Sequence, residues 1–415
     1  MKIANAIALV AGAEPPVEFT AYDGTHVGVP GSDVRIEIRS PRAISLFLSA
    51  PGELGLARAY VAGELEVVGD MYTALDRLST LNVDHLSVGT KIRLLKDFAP
   101  LAIRREKPPA EEIRLRGRRH SKHRNADAIS HHYDVSNRFY SWVLGPSMAY
   151  TCAVFPRPDA TLEEAQEEKF DLVCRKLGLA PGMRLLDVGC GWGGMVIHAV
   201  KNYGVTAIGV TLSKQQAESG QRSLADAGLE GSAQIRHSDY RDVSETGFDA
   251  VSSIGLTEHI GKANIPAYFA FLRSKLRPQG RLLNHCITRP TNQESAEAGM
   301  FINRYVFPDG ELEGPGTLIA AMEDSGLEAR HEENLREHYA LTLREWGRNL
   351  EDRWNEAVDE VGEGKARVWR LYMAASRLAF ERNRIQLHQV LGVRTADDGL
   401  SGLPLRPGFD RGDRR

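Results

Sequence analysis

The order of apolar and polar positions divides the chain into three regions. In the first, Val17 to Gly28 (VEFTAYDGTHVG) alternates like a strand pair around a turn at Asp23-Gly24. Val34 to Ser40 (VRIEIRS) alternates apolar and charged residues, the pattern of a half-buried strand. From Pro41 the period becomes helical, through AISLFLSA and LGLARAYVAGELEV. Strands followed by helices predict a small α+β domain over 1–98. The opening MKIANAIALVAGAEP is too short an apolar run for a secretion signal and predicts the first helix. In the second region five apolar runs recur: 185–189, 207–212, 233–238, 248–255 and 280–288. Helical spacing fills the gaps, and Thr161 with Glu163 and Glu164 marks a helix start before the first run. This alternation predicts a mostly parallel sheet with helices on both faces and right-handed crossovers. The third region, from Leu343 to Leu391, reads as helical throughout, and the Gly-, Pro- and Asp-rich end over 394–415 reads as a flexible tail.

Composition narrows the class. With 42% hydrophobic and 26% charged residues the chain is expected to fold rather than stay disordered. A net charge of −3 gives no global basic excess, which argues against a nucleic-acid partner. Cys152, Cys174, Cys190 and Cys286 form no C-x-x-C pair, so neither a metal site nor a disulfide framework is expected, and a reducing cytoplasmic setting follows. No run of about 20 apolar residues offers a membrane span. One segment departs from the acidic balance. Between 99 and 127 stand Arg104, Arg105, Lys107, Arg114, Arg116, Arg118, Arg119, Lys122 and Arg124, with Pro108 and Pro109. Such a run is either a solvated linker or an adhesive for an anionic membrane surface, each basic residue near the surface contributing about 1 kcal/mol.

The candidate chemistry centres on Arg184–Gly194, RLLDVGCGWGG. A strand ends in Asp187 and runs into a glycine turn, and helical spacing resumes at Met195. Gly189 and Gly191 permit backbone angles closed to other residues and let a ligand approach the main chain. A dinucleotide turn would read G-x-G-x-x-G with an acid roughly 20 residues on. Here the spacing is G-C-G-W-G-G, and the next run ends in TLSKQQ without an acid. S-adenosylmethionine, with its amino and sulfonium cations, suits the turn better. Strand-end residues should line the site: Gly189 to Trp192, Thr211 to Gln216, Asp239 and Tyr240, Thr257 to Ile260, and His285 to Ile287.

Eight ordered segments then carry a resemblance: HYDVSNRFY, MAYTCAVF, LDVGCGWGG, TLSKQQ, TEHIG, NHCIT, RYVFPDGEL and HYALTLREW. Together they resemble the cyclopropane-fatty-acyl-phospholipid synthases, S-adenosylmethionine-dependent methyltransferases, and LGLARAYVAGELE extends the likeness into the N-terminal region. The resemblance implies a class I, Rossmann-like α/β methyltransferase domain over 128–393. For S-adenosylmethionine it implies Tyr150, Thr151, Asp187, Gly189, Cys190, Gly191, Thr211, Leu212, Ser213, Gln216, Asp239 and Tyr240. For a catalytic centre holding bicarbonate it implies Cys152, Glu258, His285, Ile287 and Tyr339, with no metal. The substrate implied is an unsaturated phospholipid in the membrane, the setting cytoplasmic and peripheral to the inner face of the plasma membrane. A homodimer and a partner reductase belong to the same expectation, and the N-terminal domain would serve dimerisation or lipid binding.

An isolated alkene is a weak nucleophile, so its methylation demands alignment and exclusion of water. The carbocation left behind suits aromatic faces, and Tyr133, Phe139 and Tyr140 are candidates. Proton loss from the new methyl closes a cyclopropane, whereas a hydride shift and loss from the chain leaves a methylene branch. Val154 and Thr257 replace aromatics that cyclopropane synthases carry, and Ser376 replaces a C-terminal cysteine. The details GPSMAYTCAVF and SSIGLTEHIG resemble the actinobacterial branch that makes 10-methylene stearoyl lipids for tuberculostearic acid. The competing readings are cyclopropane formation, a methyltransferase for a soluble small molecule, and a lipid-binding protein with a relict pocket.

Overall fold

The computed structural model describes residues 1–81, 87–102, 106–113, 124, 136–293 and 299–410. It separates into two compact units that are not sequential. The first comprises Met1–Arg114, Gly299–Pro308 and Leu350–Leu378, and the second Leu115–Ala298, Asp309–Asn349 and Ala379–Arg415. The pattern over 128–393 suggested one uninterrupted domain, and the packing removes two segments from it. The reason lies in side chains that pattern does not show. Arg367 reaches Glu66 and the Tyr60 carbonyl, and the Phe301 N–H donates to Glu53 at 3.3 Å.

In the first unit the opening apolar run is a helix, Ile3–Ala11. The Asp23-Gly24 turn joins β1 (Glu18–Ala21) to β2 (His26–Val27), antiparallel as its sequence requires. β3 (Arg35–Ile38) lies parallel to β1, and β4 (Leu65–Val68) completes the order β2-β1-β3-β4. Ser40 caps helix Pro41–Ser49 by accepting from the Arg42 N–H, and Pro41 occupies a first-turn position where its missing N–H costs nothing. The expected linker over 99–127 overlaps a helix, Val88–Ala102. Beyond it Glu112 is buried and paired with Arg58. Most of the basic run, including Arg104, Arg105, Arg114, Arg116, Arg118, Arg119 and Lys122, lies outside the described residues.

The second unit holds the sheet that the apolar runs predicted, with two strands added. β5 (Arg184–Val188), β6 (Thr206–Thr211), β7 (Ala233–His237), β8 (Phe248–Ile254) and β9 (Leu276–Thr288) are parallel neighbours in the order β9-β8-β5-β6-β7. Alternation sends Leu185 to one face and Leu186 to the other, and each face has its own buried cluster. Helices Leu162–Leu177 and Gly194–Tyr203 cover the Leu185 face, and Ile265–Lys275 and Pro315–Asp324 cover the Leu186 face. Thr161 and Glu164 form a reciprocal cap on the first of these.

The added strands correct the expectation of an all-helical end. Helix Glu363–Glu381 stops, and β11 (Gln386–Val393) inserts antiparallel between β9 and β10 (Glu328–Asn334). Asn383, at φ 54, makes the reversal that sends the chain back. The tail is also corrected, as far as Asp410. Phe409 packs on the Leu185-face cluster, its ring meets His331, and its carbonyl accepts from Arg175 Nε at 2.6 Å.

Candidate active site

The glycine turn forms because β5 cannot continue past Val188. The N–H groups of Gly189 and Cys190 both donate to the Val210 carbonyl, at 2.9 and 3.0 Å, which ties the turn to β6. Gly189 and Gly191 have φ of 79° and 55°. A Cβ on Gly189 would meet Leu256 at 3.2 Å, whereas one on Gly191 would enter open space. The turn therefore keeps a cleared approach to its backbone at Gly191, which fits a ligand seated against the main chain. The Cys190 thiol lies against Gly209 in the sheet, so only its backbone can serve the turn.

Asp187 stands under this turn rather than at its mouth. It is 1% exposed and accepts from the Ser252 hydroxyl at 2.6 Å. Burial raises its pKa, and Ser252 and the charge of Lys169 oppose the rise. Lys169 is itself buried, donates to Thr151 Oγ1 at 3.0 Å, and lies over the Phe170 ring. Burial pushes Lys169 downward while Cys152 and Asp187 resist. The hydrogen-bond partner that Asp187 meets is thus the Ser252 hydroxyl, with Lys169 acting on it only through its charge.

The β6 end builds a second wall. Thr211 Oγ1 donates to Gln216 Oε1 at 2.8 Å and accepts from the Ser213 N–H, and Ser213 caps helix Lys214–Asp226. Gln216 is thereby held with its amide nitrogen outside that bond. The Leu212 carbonyl faces His237 Nε2 at 3.1 Å. At the β7 end Asp239 is engaged by Arg241, through the backbone N–H and the guanidinium. Tyr240 packs edge-on to Tyr268 and Phe271. The structure thus spends the Asp239 carboxylate on its own turn.

Residues 149–155 are stitched across the strand ends. Gln166 donates to the carbonyls of Ala149 and Thr151, and a Cβ on Gly255 would touch Thr151. On the other side Ala153 N–H donates to Thr342 Oγ1 and Phe155 N–H to His338 Nδ1. Both partners lie on helix Arg336–Asp352, which also carries Tyr339. The Cys152 thiol points to the Leu335 carbonyl at 3.8 Å, one residue before that helix. Burial pushes the Cys152 thiol well up, as it does for Cys174, Cys190 and Cys286, so all four remain thiols. An arc of rings joins the turn to this helix: Trp192, Tyr140, Tyr150, Trp346, Tyr339 and Phe380, with successive centroids 4.5–6.1 Å apart. Phe139 is buried against Tyr140, and Tyr133 lies outside the described residues.

Two further buried polar groups stand near the ends of the neighbouring strands β8 and β9. Ile254 pairs with His285, and the Gly255 N–H donates to the His285 carbonyl, so the turn bearing Glu258 lies beside 285–287. Glu258 Oε1 accepts from the Ile287 N–H at 2.7 Å. That donor, expected to face an anion, is used to hold Glu258. Glu258 Oε2 and His285 Nε2 are both buried with no hydrogen-bond partner. Burial raises Glu258 to about 7, against the Ile287 N–H. Burial also pushes His285 well below its usual value, helped by Lys169 and Lys176, which keeps it neutral. Buried polar atoms are seldom left unpaired, so the acceptor of Glu258 and the uncommitted imidazole nitrogen of His285 each call for a partner from outside the chain. Among the described residues no group of three His, Cys, Asp or Glu could hold a metal ion.

The residues that the sequence pattern missed support this centre from below. Lys169 and Lys176 interrupt the apolar stripe of helix Leu162–Leu177, beside Ala165, Leu172 and Val173. A lysine on a buried stripe was the available signal. Gln389 had none, because its segment read as helix.

A seven-stranded sheet with this turn and these strand-end walls defines a class I S-adenosylmethionine-dependent methyltransferase. The family model described as mycolic acid cyclopropane synthetase matches residues 120–390. A probable fatty acid methyltransferase of Mycobacterium tuberculosis is 54% identical over 409 residues, covering 96% of this chain and 95% of its own. The cyclopropane-fatty-acyl-phospholipid synthase of Escherichia coli K12 is 32% identical over 370 residues, 88% of this chain and 89% of its own. Two solved structures superpose: the cyclopropane synthase MmaA2 from Mycobacterium tuberculosis, with TM-score 0.62 and 32% identity, and the mycolic acid cyclopropane synthase CmaA1 complexed with SAH and CTAB, with 0.61 and 33%. Each covers 65% of this chain and 98% of that one. The chain belongs to the mycolic acid cyclopropane synthetase family and is an S-adenosylmethionine-dependent methyltransferase of lipid acyl chains.

Proposed function

We propose that the protein methylates the double bond of an unsaturated fatty acyl chain in a membrane phospholipid and leaves a 10-methylene branch. The observation that carries the chemistry is that two buried atoms near the ends of neighbouring strands, His285 Nε2 and Glu258 Oε2, have no hydrogen-bond partner. Bicarbonate fits it: His285 donates to one oxygen and Glu258 accepts the remaining O–H, while the anion supplies a base for the proton that must leave. The Ile287 N–H orients Glu258 rather than touching the anion directly.

S-adenosylmethionine supplies the electrophilic methyl group. The backbone of Gly189–Gly191 would seat it, with Thr211–Gln216 as one wall and Tyr150 and Thr151 as the other. The residues then have three tasks: to align the alkene, to exclude water, and to surround positive charge. The ring arc through Tyr140, Tyr150 and Tyr339 offers aromatic faces for the last. Cys152, a protonated thiol facing carbonyls, is a packing and positioning residue without a nucleophilic role.

The choice of product rests on Val154 and Thr257. Val154 is buried, and the Thr257 hydroxyl donates to Asn284 Oδ1 at 2.6 Å. Neither adds an aromatic face, which leaves the cation freer to rearrange before proton loss. Incubated with oleoyl phospholipid vesicles, the enzyme is expected to give vinylidene protons by NMR. Upfield ring signals alone would reject the methylene product and leave the cyclopropane reading. The double variant Val154→Tyr, Thr257→Phe should shift the product toward the ring, and an unchanged ratio would move the control of proton loss elsewhere.

Among the described residues no helix is long and apolar enough to cross a membrane. Peripheral binding to an anionic inner leaflet through the basic run accounts for access to phospholipid. Of that run Arg124 is committed to Asp309, so the remaining basic residues carry the attraction. Neutralising Arg114, Arg116, Arg118 and Arg119 should weaken binding to anionic vesicles about fivefold per residue at low salt. Binding that is indifferent to both charge and salt would make the run a connector. A homodimer, and a reductase acting on the methylene product, complete this reading.

A further inference from the structure

His285 uses one ring nitrogen inside the protein, and the identity of that nitrogen decides what the other can do. Nδ1 lies 3.1 Å from Gln389 Nε2, across the β9–β11 register that pairs the two residues. The same amide places Oε1 2.7 Å from Lys176 Nζ, and Lys176 is in turn bonded to Glu333 on β10. An ammonium group has only donors, so it can meet only the amide oxygen. The amide NH2 must then face His285, and an NH2 can meet only an acceptor. Nδ1 is therefore the nitrogen without hydrogen, and the ring proton of neutral His285 sits on Nε2, the atom with no partner. Lys176, Gln389 and His285 are all fully buried, so water does not compete for these bonds. Glu333 is partly exposed and holds the ammonium in place from the rim.

We propose that Glu333, Lys176 and Gln389 are positioning residues that fix His285 as its Nε2–H tautomer, making it a hydrogen-bond donor to an acceptor at the strand ends and not a base. The identity of that acceptor as bicarbonate rests on the function proposed above. The tautomer itself does not. In this arrangement the proton leaving the substrate does not go to His285.

The test is nitrogen NMR on the full-length chain labelled with 15N-histidine, with the His285 signals among 13 histidines assigned by their loss in His285→Asn. The wild type is expected to show a pyridine-type Nδ1 and a pyrrole-type Nε2. Gln389→Glu puts a carboxylate between Lys176 and Nδ1, which demands a donor there, so the two signals should exchange types. With no donor left at Nε2, bicarbonate affinity, read from the change in the ring signals on titration, should weaken about 10- to 100-fold, the loss of a hydrogen bond to a charged group. Lys176→Met frees the amide to turn and should give both tautomers, with a smaller loss. A wild-type proton on Nδ1, or an unchanged pattern in a folded Gln389→Glu protein, would overturn the proposal. If Gln389→Glu does not fold, the wild-type spectrum alone decides. Should the tautomers behave as stated while bicarbonate leaves the wild-type signals untouched, the relay stands and the bicarbonate reading falls.

Discussion

Glu258→Gln is expected to lower kcat by about 10²–10⁴-fold, the range that general acid–base groups contribute, with the affinity for S-adenosylmethionine unchanged. Glutamine keeps an oxygen for the Ile287 N–H but replaces the unpartnered Oε2 by a donor. The acceptor for a bicarbonate O–H is then gone, while the walls at Gly189–Gly191 and Thr211–Gln216 are untouched. Isothermal calorimetry and single-turnover assays separate the two effects, and equal losses in binding and turnover would place Glu258 in the cofactor site instead. Partial recovery at high bicarbonate would mark a defect of anion affinity. Wild-type activity independent of bicarbonate would make the Glu258 carboxylate itself the proton acceptor, a role its raised pKa permits.

The same substitution has an opposite consequence for stability. Glu258 titrates at about 7 in the folded chain against 4.5 for the free side chain, because burial penalises its charge. Between those values the folded state binds the extra proton. Its contribution to stability is therefore fully present below about pH 4.5 and is lost as pH rises through about 7. The resulting penalty above pH 7 is on the order of 3 kcal/mol. Glutamine cannot ionise, so the variant should melt higher than the wild type at pH 8, with the difference shrinking toward pH 5. A residue that costs stability while the pocket depends on its charge is placed for chemistry.

How much of this site could be read from the sequence depends on what each residue does locally. The parallel strands were legible because they are buried on both faces, so their apolar runs are continuous: LLDV and FDAVSSI stand out from any neighbour. The glycine turn was legible because glycine takes positive φ at the least cost, as at Gly189 and Gly191. β10 and β11 were not. β10 is an edge strand, EARHEEN, paired on one side only, and its exposed charges imitate a solvated helix. β11 carries His388 and Gln389 inside the sheet, so its buried positions include polar ones and the period is hidden. Its strand character comes from β9 and β10 on either side, a long-range effect no local window contains. The support of His285 was lost with it. Lys169 failed differently: its place on an apolar stripe was visible, but a lysine reads by default as a surface residue, and burial with Thr151 as partner makes it interior. Asp239 and Ile287 were named correctly as residues of the strand ends, yet their polar groups turn to Arg241 and Glu258, which spacing cannot foretell.

Gly191→Val should cut S-adenosylmethionine affinity by more than about 100-fold, roughly 3 kcal/mol. The expectation rests on two features of one residue. A Cβ at Gly191 would find nothing of the protein within 4 Å, so the space beyond it is kept clear, beside a turn whose N–H groups are tied to Val210. A branched side chain would fill that space. Gly191 also has φ 55°, which a valine adopts only with strain, so a loss of affinity could come from a distorted turn instead. Gly182 separates the causes. It has φ 84°, also faces open space, and sits in the exposed turn before β5. Gly182→Val should show the cost of strain as a lowered melting temperature, with affinity unaltered. Gly191→Ala should fall between glycine and valine, because a single methyl intrudes less and tolerates the left-handed region better. If Gly191→Val folds and binds S-adenosylmethionine as the wild type does, the cleared space is not the ligand's, and the cofactor must approach from the Thr211–Gln216 wall alone.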